Sequence, residues 1–63
     1  MDRQYDIFEK LPDGAVVWRA FIPGLDNALA ELKKFGKLSP NEFFAFHAPT
    51  KEAVARVNVK TPE

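Results

Sequence analysis

The sequence predicts an α+β domain of ββαββ order, one four-stranded, mainly antiparallel sheet with a single helix packed on one face. Three observations lead there. Four short runs rich in β-branched and aromatic residues are punctuated by turn signals at Leu11-Pro12-Asp13-Gly14, Pro23-Gly24, Ser39-Pro40-Asn41 and Pro49. Between the second and third runs the apolar residues change to a three-and-four spacing, Leu25, Ala28, Leu29, Leu32 and Phe35, the mark of one helical face. A length of 63 residues fits a single small domain, 1–63, with little surplus core and no room for a deep cleft.

The first strand is expected at about 4–10, where apolar and polar residues partly alternate from Tyr5 to Lys10. Pro12 and Gly14 then supply a tight hairpin turn, and Val16, Val17, Trp18, Phe21 and Ile22 suit a second strand at about 15–22. The helix is expected at about 25–36. Gly24 or Asp26 can cap its start, Lys33, Lys34 and Lys37 suit the negative end of its dipole, and Gly36 can take a left-handed closing position. Eleven or so residues are marginal as an isolated helix, so the Leu and Phe stripe must be held against the sheet. Strands at about 42–48 and 53–59 complete the sheet, and Thr61-Pro62-Glu63 is expected to fray. The crossover makes strands two and three point the same way, which leaves a 2-1-4-3 order and an all-antiparallel order both open.

Alternation along each strand then sorts side chains between the helix side and the free side. It sends Tyr5, Ile7, Val16, Trp18, Ala20, Ile22, Ala53, Ala55, Val57 and Val59 inward. With Trp18 inside, Trp18→Ala should cost about 3–5 kcal/mol. The third strand is ambiguous, because Phe44 and Phe46 face one way while Phe43, Ala45 and His47 face the other. With Phe44 and Phe46 inside, the helix-free face would carry Phe8, Val17, Arg19, Phe21, Phe43, His47, Val54 and Arg56. A contiguous aromatic patch of this kind on a monomer marks an interaction surface, for a protein partner or for a second copy packed sheet on sheet.

Other chemistry finds little purchase. Nine basic and nine acidic residues cancel, which removes the general attraction of nonspecific nucleic-acid and membrane-surface binders. His47 is the sole imidazole and has no carboxylate at an orienting spacing, so no catalytic residue is assigned and the chain is read as a non-enzyme. The carboxylates repeat no metal-ligand spacing and the three glycines stand alone, so no metal, nucleotide or other cofactor is expected. The start of the chain, Met1 to Asp6, lacks the basic and apolar run of a signal peptide or membrane span. Together with the absence of Cys, that places the expected compartment in the cytoplasm. The alternative to a protein partner is single-stranded nucleic acid, stacked on Phe8, Phe21 and Phe43 with Lys10, Arg19, His47 and Arg56 as the polar participants.

Tyr5-Asp6-Ile7-Phe8, Leu11-Pro12-Asp13-Gly14, Val17-Trp18, Gly24-Leu25 and Ser39-Pro40-Asn41-Glu42-Phe43-Phe44 together resemble short bacterial proteins of one pattern, YDIF-x-x-LPDG-x-x-VW, whose role is unassigned. The likeness covers nearly the whole chain. It implies a free-standing bacterial domain and transfers no active site. At fold level the chain is also similar to the N-terminal domain of HicB-type antitoxins, where a strand ending in a Pro-Gly stretch precedes a helix, as Phe21 to Leu25 with Ala28 and Leu29 do here. The extra strand expected between those pieces and an appended DNA-binding region are missing from this sequence, so the likeness implies architecture only.

Overall fold

The computed structural model describes residues 3–59. It contains, in chain order, β1 (Gln4–Lys10), β2 (Val16–Pro23), α1 (Leu25–Leu38), β3 (Glu42–His47) and β4 (Glu52–Val57). The expected fraying of Thr61-Pro62-Glu63 lies outside the described residues. All neighbours in the sheet are antiparallel and the order is β2-β1-β3-β4, so β1 is internal and flanked by β2 and β3, which run the same way.

Turn chemistry explains how the strands are joined. The β1–β2 hairpin closes where Gly14 N–H donates to the Leu11 carbonyl at 2.9 Å, with Gly14 at φ 92° and Asp13 Oδ1 accepting from Ala15 N–H. Such a φ is open to Gly and costly for other residues. The second hairpin turns at Ala48 to Lys51, where Lys51 N–H reaches the Ala48 carbonyl and Thr50 Oγ1 donates to the His47 carbonyl.

Gly24, at φ 87°, occupies the N-cap of α1 without a side-chain cap, and Asp26 supplies negative charge in the first turn. The helix runs past Gly36 to Leu38, so Gly36 is not its left-handed terminator. A Cβ on Gly36 would stand 3.1 Å from Val57 Cγ2, so the residue marks a close approach of helix to β4. Termination comes from Pro40, which disfavours helical backbone in the residue before it, and Ser39 is extended at φ −146°, ψ 144°. Asn58 follows β4 at φ 54° and turns its amide nitrogen onto the carbonyls of Gly36, Ser39 and Asn41 at 2.9–3.2 Å. It stabilises the end of the helix and ends β4 two residues earlier than the alternation predicts.

The core lies between α1 and one face of the sheet. Tyr5, Ile7, Phe43 and Ala45 from the two central strands meet Ala28 and Leu32 of the helix, with Ala20, Ile22, Phe35, Ala55 and Val57 around them. The Phe35 and Phe43 rings stack at 5.3 Å. Ile7 and Leu32 are completely enclosed, each contributing about 1.5–3 kcal/mol through burial. Leu25 and Leu29, though on the expected stripe, stay largely exposed at its margin.

Two bulges decide which side chains face the helix. Ile7 pairs with Ala20 but Phe8 pairs with Trp18, leaving Arg19 as the extra residue of β2. A bulge of this type exchanges the two faces for everything beyond it. Ala20 and Ile22 therefore point inward as expected, whereas Val16 and Trp18 are on the free side, 52% and 55% exposed. The second bulge falls in β4, where Ala45 pairs with Ala55 and Phe46 with Ala53, so that Val54 is the extra residue. Ala53 thereby joins Phe46 on the free side instead of the inward set, and Val59 lies beyond the strand, half exposed.

Candidate functional site

The helix-free face is built on β1, where Asp6, Phe8 and Lys10 alternate with the inward Tyr5, Ile7 and Glu9. Pairing across β1 sets Phe21 and Phe46 beside Asp6, Trp18 and Phe44 beside Phe8, and Val16 and Glu42 beside Lys10. Phe8 stacks on Phe44 with centroids 5.4 Å apart and meets the edge of Phe46 at 6.1 Å. The Arg56 guanidinium sits 5.6 Å over the Phe44 ring while its Nη1 pairs with Glu42 Oε2 at 3.1 Å. Trp18 Nε1 donates to Asp6 Oδ1 at 3.2 Å, which holds the indole across the edge of the sheet. Phe8, Val16, Phe44 and Phe46 line a shallow, wholly apolar hollow of about 200 Å³ in the middle of this face.

Three of the residues read from the sequence belong to this surface: Phe8, Phe21 (50% exposed) and Arg56. Val54 is exposed as the bulge residue of β4, at the margin. The other four are placed elsewhere. Phe43 is 2% exposed in the core and His47 is buried, because β3 turns its Phe43, Ala45 and His47 side toward the helix. Phe44 and Phe46 take the free side instead. Val17 pairs with Glu9 on the helix side and is half buried. Arg19, at the bulge, is drawn to Glu9: its Nε donates to Oε1 at 2.7 Å and its Nη2 reaches the same oxygen.

Among the described residues, Glu9 and His47 are the polar residues enclosed on the helix side, and the sequence pointed only to the second. Glu9 also accepts from Asn41 Nδ2 at 2.7 Å, so one carboxylate joins β1, the β2 bulge and the segment after α1. The Asn41 amide foremost, then the Arg19 guanidinium, hold its carboxyl below the usual carboxylate value against the opposing effect of burial. The alternation Tyr5, Ile7, Glu9 places a carboxylate inside, and a buried carboxylate requires a partner, so the inward turn of Arg19 had a signal in the sequence. His47 Nδ1 lies 2.9 Å from Thr50 Oγ1, and its ring tilts against Tyr5 at 5.4 Å. These contacts account for the histidine as a satisfied interior residue.

No family model, curated protein or solved structure matches the chain. Function therefore has to be read from the face itself. Among the described residues the charged groups its strands present are Asp6 and Glu42 against Lys10 and Arg56, which sum to zero, and all but Lys10 are engaged by a neighbour on the same face; Arg3, just before β1, lines a hollow with Asp6 and Phe21 at one end of the sheet. Among the described residues, no group of three or more His, Asp or Glu is placed to hold a metal ion, and no helix is long and apolar enough to cross a membrane.

Proposed function

We propose that this chain is a small, non-enzymatic interaction domain of the cytoplasm that docks on protein through its helix-free aromatic face. The observation that carries the reading is the contiguity of Trp18, Phe8, Phe44 and Phe46 on a side of the sheet that none of the described elements covers. Large aromatics with a buried centre and a polar margin are the usual anchors of protein interfaces, and a patch of this extent on a small monomer exposes more carbon than solubility favours.

The charge arrangement favours protein over single-stranded nucleic acid. Stacking surfaces for bases are present, but binding a polyanion also needs cations along the path of the backbone. Arg19 is occupied by Glu9, His47 is interior, Arg56 is paired with Glu42, and Asp6 adds a negative charge beside Trp18. That leaves Lys10 on the strands and Arg3 at the end of the sheet as the cations of this face without a carboxylate partner among the described residues, too few to track a backbone of phosphates.

Trp18 is the only tryptophan of the chain, so its emission reports this face. Anilinonaphthalene sulfonate should bind the protein with enhanced fluorescence and alter Trp18 emission. Phe21→Asp should diminish both effects while leaving far-UV circular dichroism unchanged, whereas single-stranded oligouridine should leave Trp18 emission unaltered. Quenching by oligouridine that falls steeply with salt would transfer the face to nucleic acid. A Phe21→Asp chain that unfolds would show Phe21 to be core.

A further inference from the structure

We infer that the occupant of the aromatic face is a second copy of the chain, packed sheet on sheet with its β1 antiparallel across the β1 of its mate. This rests on the docking role proposed for that face and adds the partner and its orientation.

The order Asp6, Phe8, Lys10 along the free side of β1 is the observation that selects this arrangement. A two-fold axis lying between the sheets, perpendicular to β1 and passing over Phe8, brings Phe8 over its own copy and exchanges Asp6 with Lys10. Each copy then sets its carboxylate over the other's ammonium, and the interface is isologous and self-complementary. Facing sheets cross at about 30°, which displaces groups about 7 Å from the axis by about 3–4 Å, within reach of a lysine side chain. An axis parallel to β1 and passing over Phe8 would instead lay β2 over β3 and set Asp6 over Asp6 and Lys10 over Lys10, like charge on like; one running between β1 and β3 would lay β2 over β4 and set Lys10 over Glu42, a carboxylate that Arg56 already holds. A neutral face also suits a copy of itself, since a partner of either net sign would find no complementary field.

The sheet edges support the same choice. Sheets can also associate by pairing exposed edge strands, but both edges here, β2 and β4, carry a bulge, at Arg19 and Val54, and β2 ends in Pro23. Bulges and prolines obstruct edge-to-edge pairing, which leaves the face as the route to association. Size sets the strength. Four strands with a seven-residue β1 span roughly 19 Å by 24 Å, a flat footprint of about 450 Å² on each copy. A total near 900 Å², more once side-chain relief is added, stands at the small end of specific interfaces, so the dimer is a transient one with dissociation in the micromolar range.

Sedimentation of the full chain across a dilution series tests this, with Asp6→Lys, Lys10→Asp and the double exchange alongside the native sequence. The native chain should double its mass on passing through the micromolar range. Each single reversal should weaken dimerisation at least about tenfold by opposing like charges, and the double exchange should restore it to within a few-fold. Asp6→Asn, which removes the charge but keeps an acceptor for Trp18 Nε1, should weaken the dimer in the same direction and serves if Asp6→Lys fails to fold. A dimer indifferent to the single reversals, or one not restored by the exchange, overturns the antiparallel arrangement. A chain monomeric throughout overturns self-association. If that monomer still binds anilinonaphthalene sulfonate at Trp18, the docking reading stands and only the partner is wrong; if it does not, both fall.

Discussion

Phe43 and Phe44 are neighbours in sequence on opposite sides of β3, and replacing each in turn by alanine tests the division between core and docking face. Phe43 is 2% exposed and stacked on Phe35 beneath the helix. Phe43→Ala removes the transfer free energy of the ring and leaves a cavity that the surrounding β1, α1 and β4 close only in part, a loss of about 3–5 kcal/mol. A chain of 63 residues has about 3–9 kcal/mol of stability in all, so this variant should lose at least about a third of it and unfold outright at the low end of that range. Phe44 is half buried against Phe8 and under Arg56, on the side open to solvent. Water fills the space its ring leaves, so the cavity contribution drops out and Phe44→Ala should cost about 1–2 kcal/mol. For a domain of this size that lowers Tm by about 4–16 °C. Thermal and urea unfolding followed by far-UV circular dichroism separates the two. A Phe44→Ala variant as damaged as Phe43→Ala, or a Phe43→Ala variant of near-native stability, would refute the assignment of β3 and with it the aromatic face.

Trp18→Ala should cost about 2 kcal/mol at most, because more than half of the indole is already in solvent, in contrast to the 3–5 kcal/mol of a buried tryptophan; a larger loss in urea melts would return Trp18 to the interior. Acid should expose the role of Glu9. Its carboxyl is held below its usual 4.5 in the folded state, so the stability it contributes is complete above about pH 4.5 and is lost as pH falls through the lower folded value. Glu9→Gln should therefore be less stable than the native chain at neutral pH and should lose less on acidification; parallel acid profiles for the two chains would exclude the linkage.

The fold was legible because its determinants are local. Pro12 with Gly14, Pro23 with Gly24, and Pro40 each mark a boundary by restricting backbone dihedrals, and the spacing of Ala28, Leu32 and Phe35 announces a helix without reference to anything distant. The helix end was misplaced at Gly36 because a glycine that closes a helix and one that admits a neighbouring strand look alike in sequence; contact with Val57 distinguishes them. The face of the sheet was legible only in part. Alternation assigns β1 correctly, placing Phe8 outward, yet one extra residue at Arg19 sends Val16 and Trp18 to the opposite side. In β3 both sides are apolar, so the choice between Phe43 and Phe44 is made by what packs beneath them, Phe35 on one side and Phe8 on the other.

A docking face must be free in the isolated chain and covered on association, and Trp18 reports on both states. Solution mass and acrylamide quenching of Trp18 should be measured on the same samples through a dilution series, at low and high salt. The prediction is a monomer with readily quenched Trp18 at the lowest concentrations. As the mass doubles, the quenching should fall and the emission should shift to the blue, with salt leaving the apolar contact largely intact. A Trp18 shielded from acrylamide in the dilute monomer, or a dimer that forms with Trp18 as accessible as before, would contradict it.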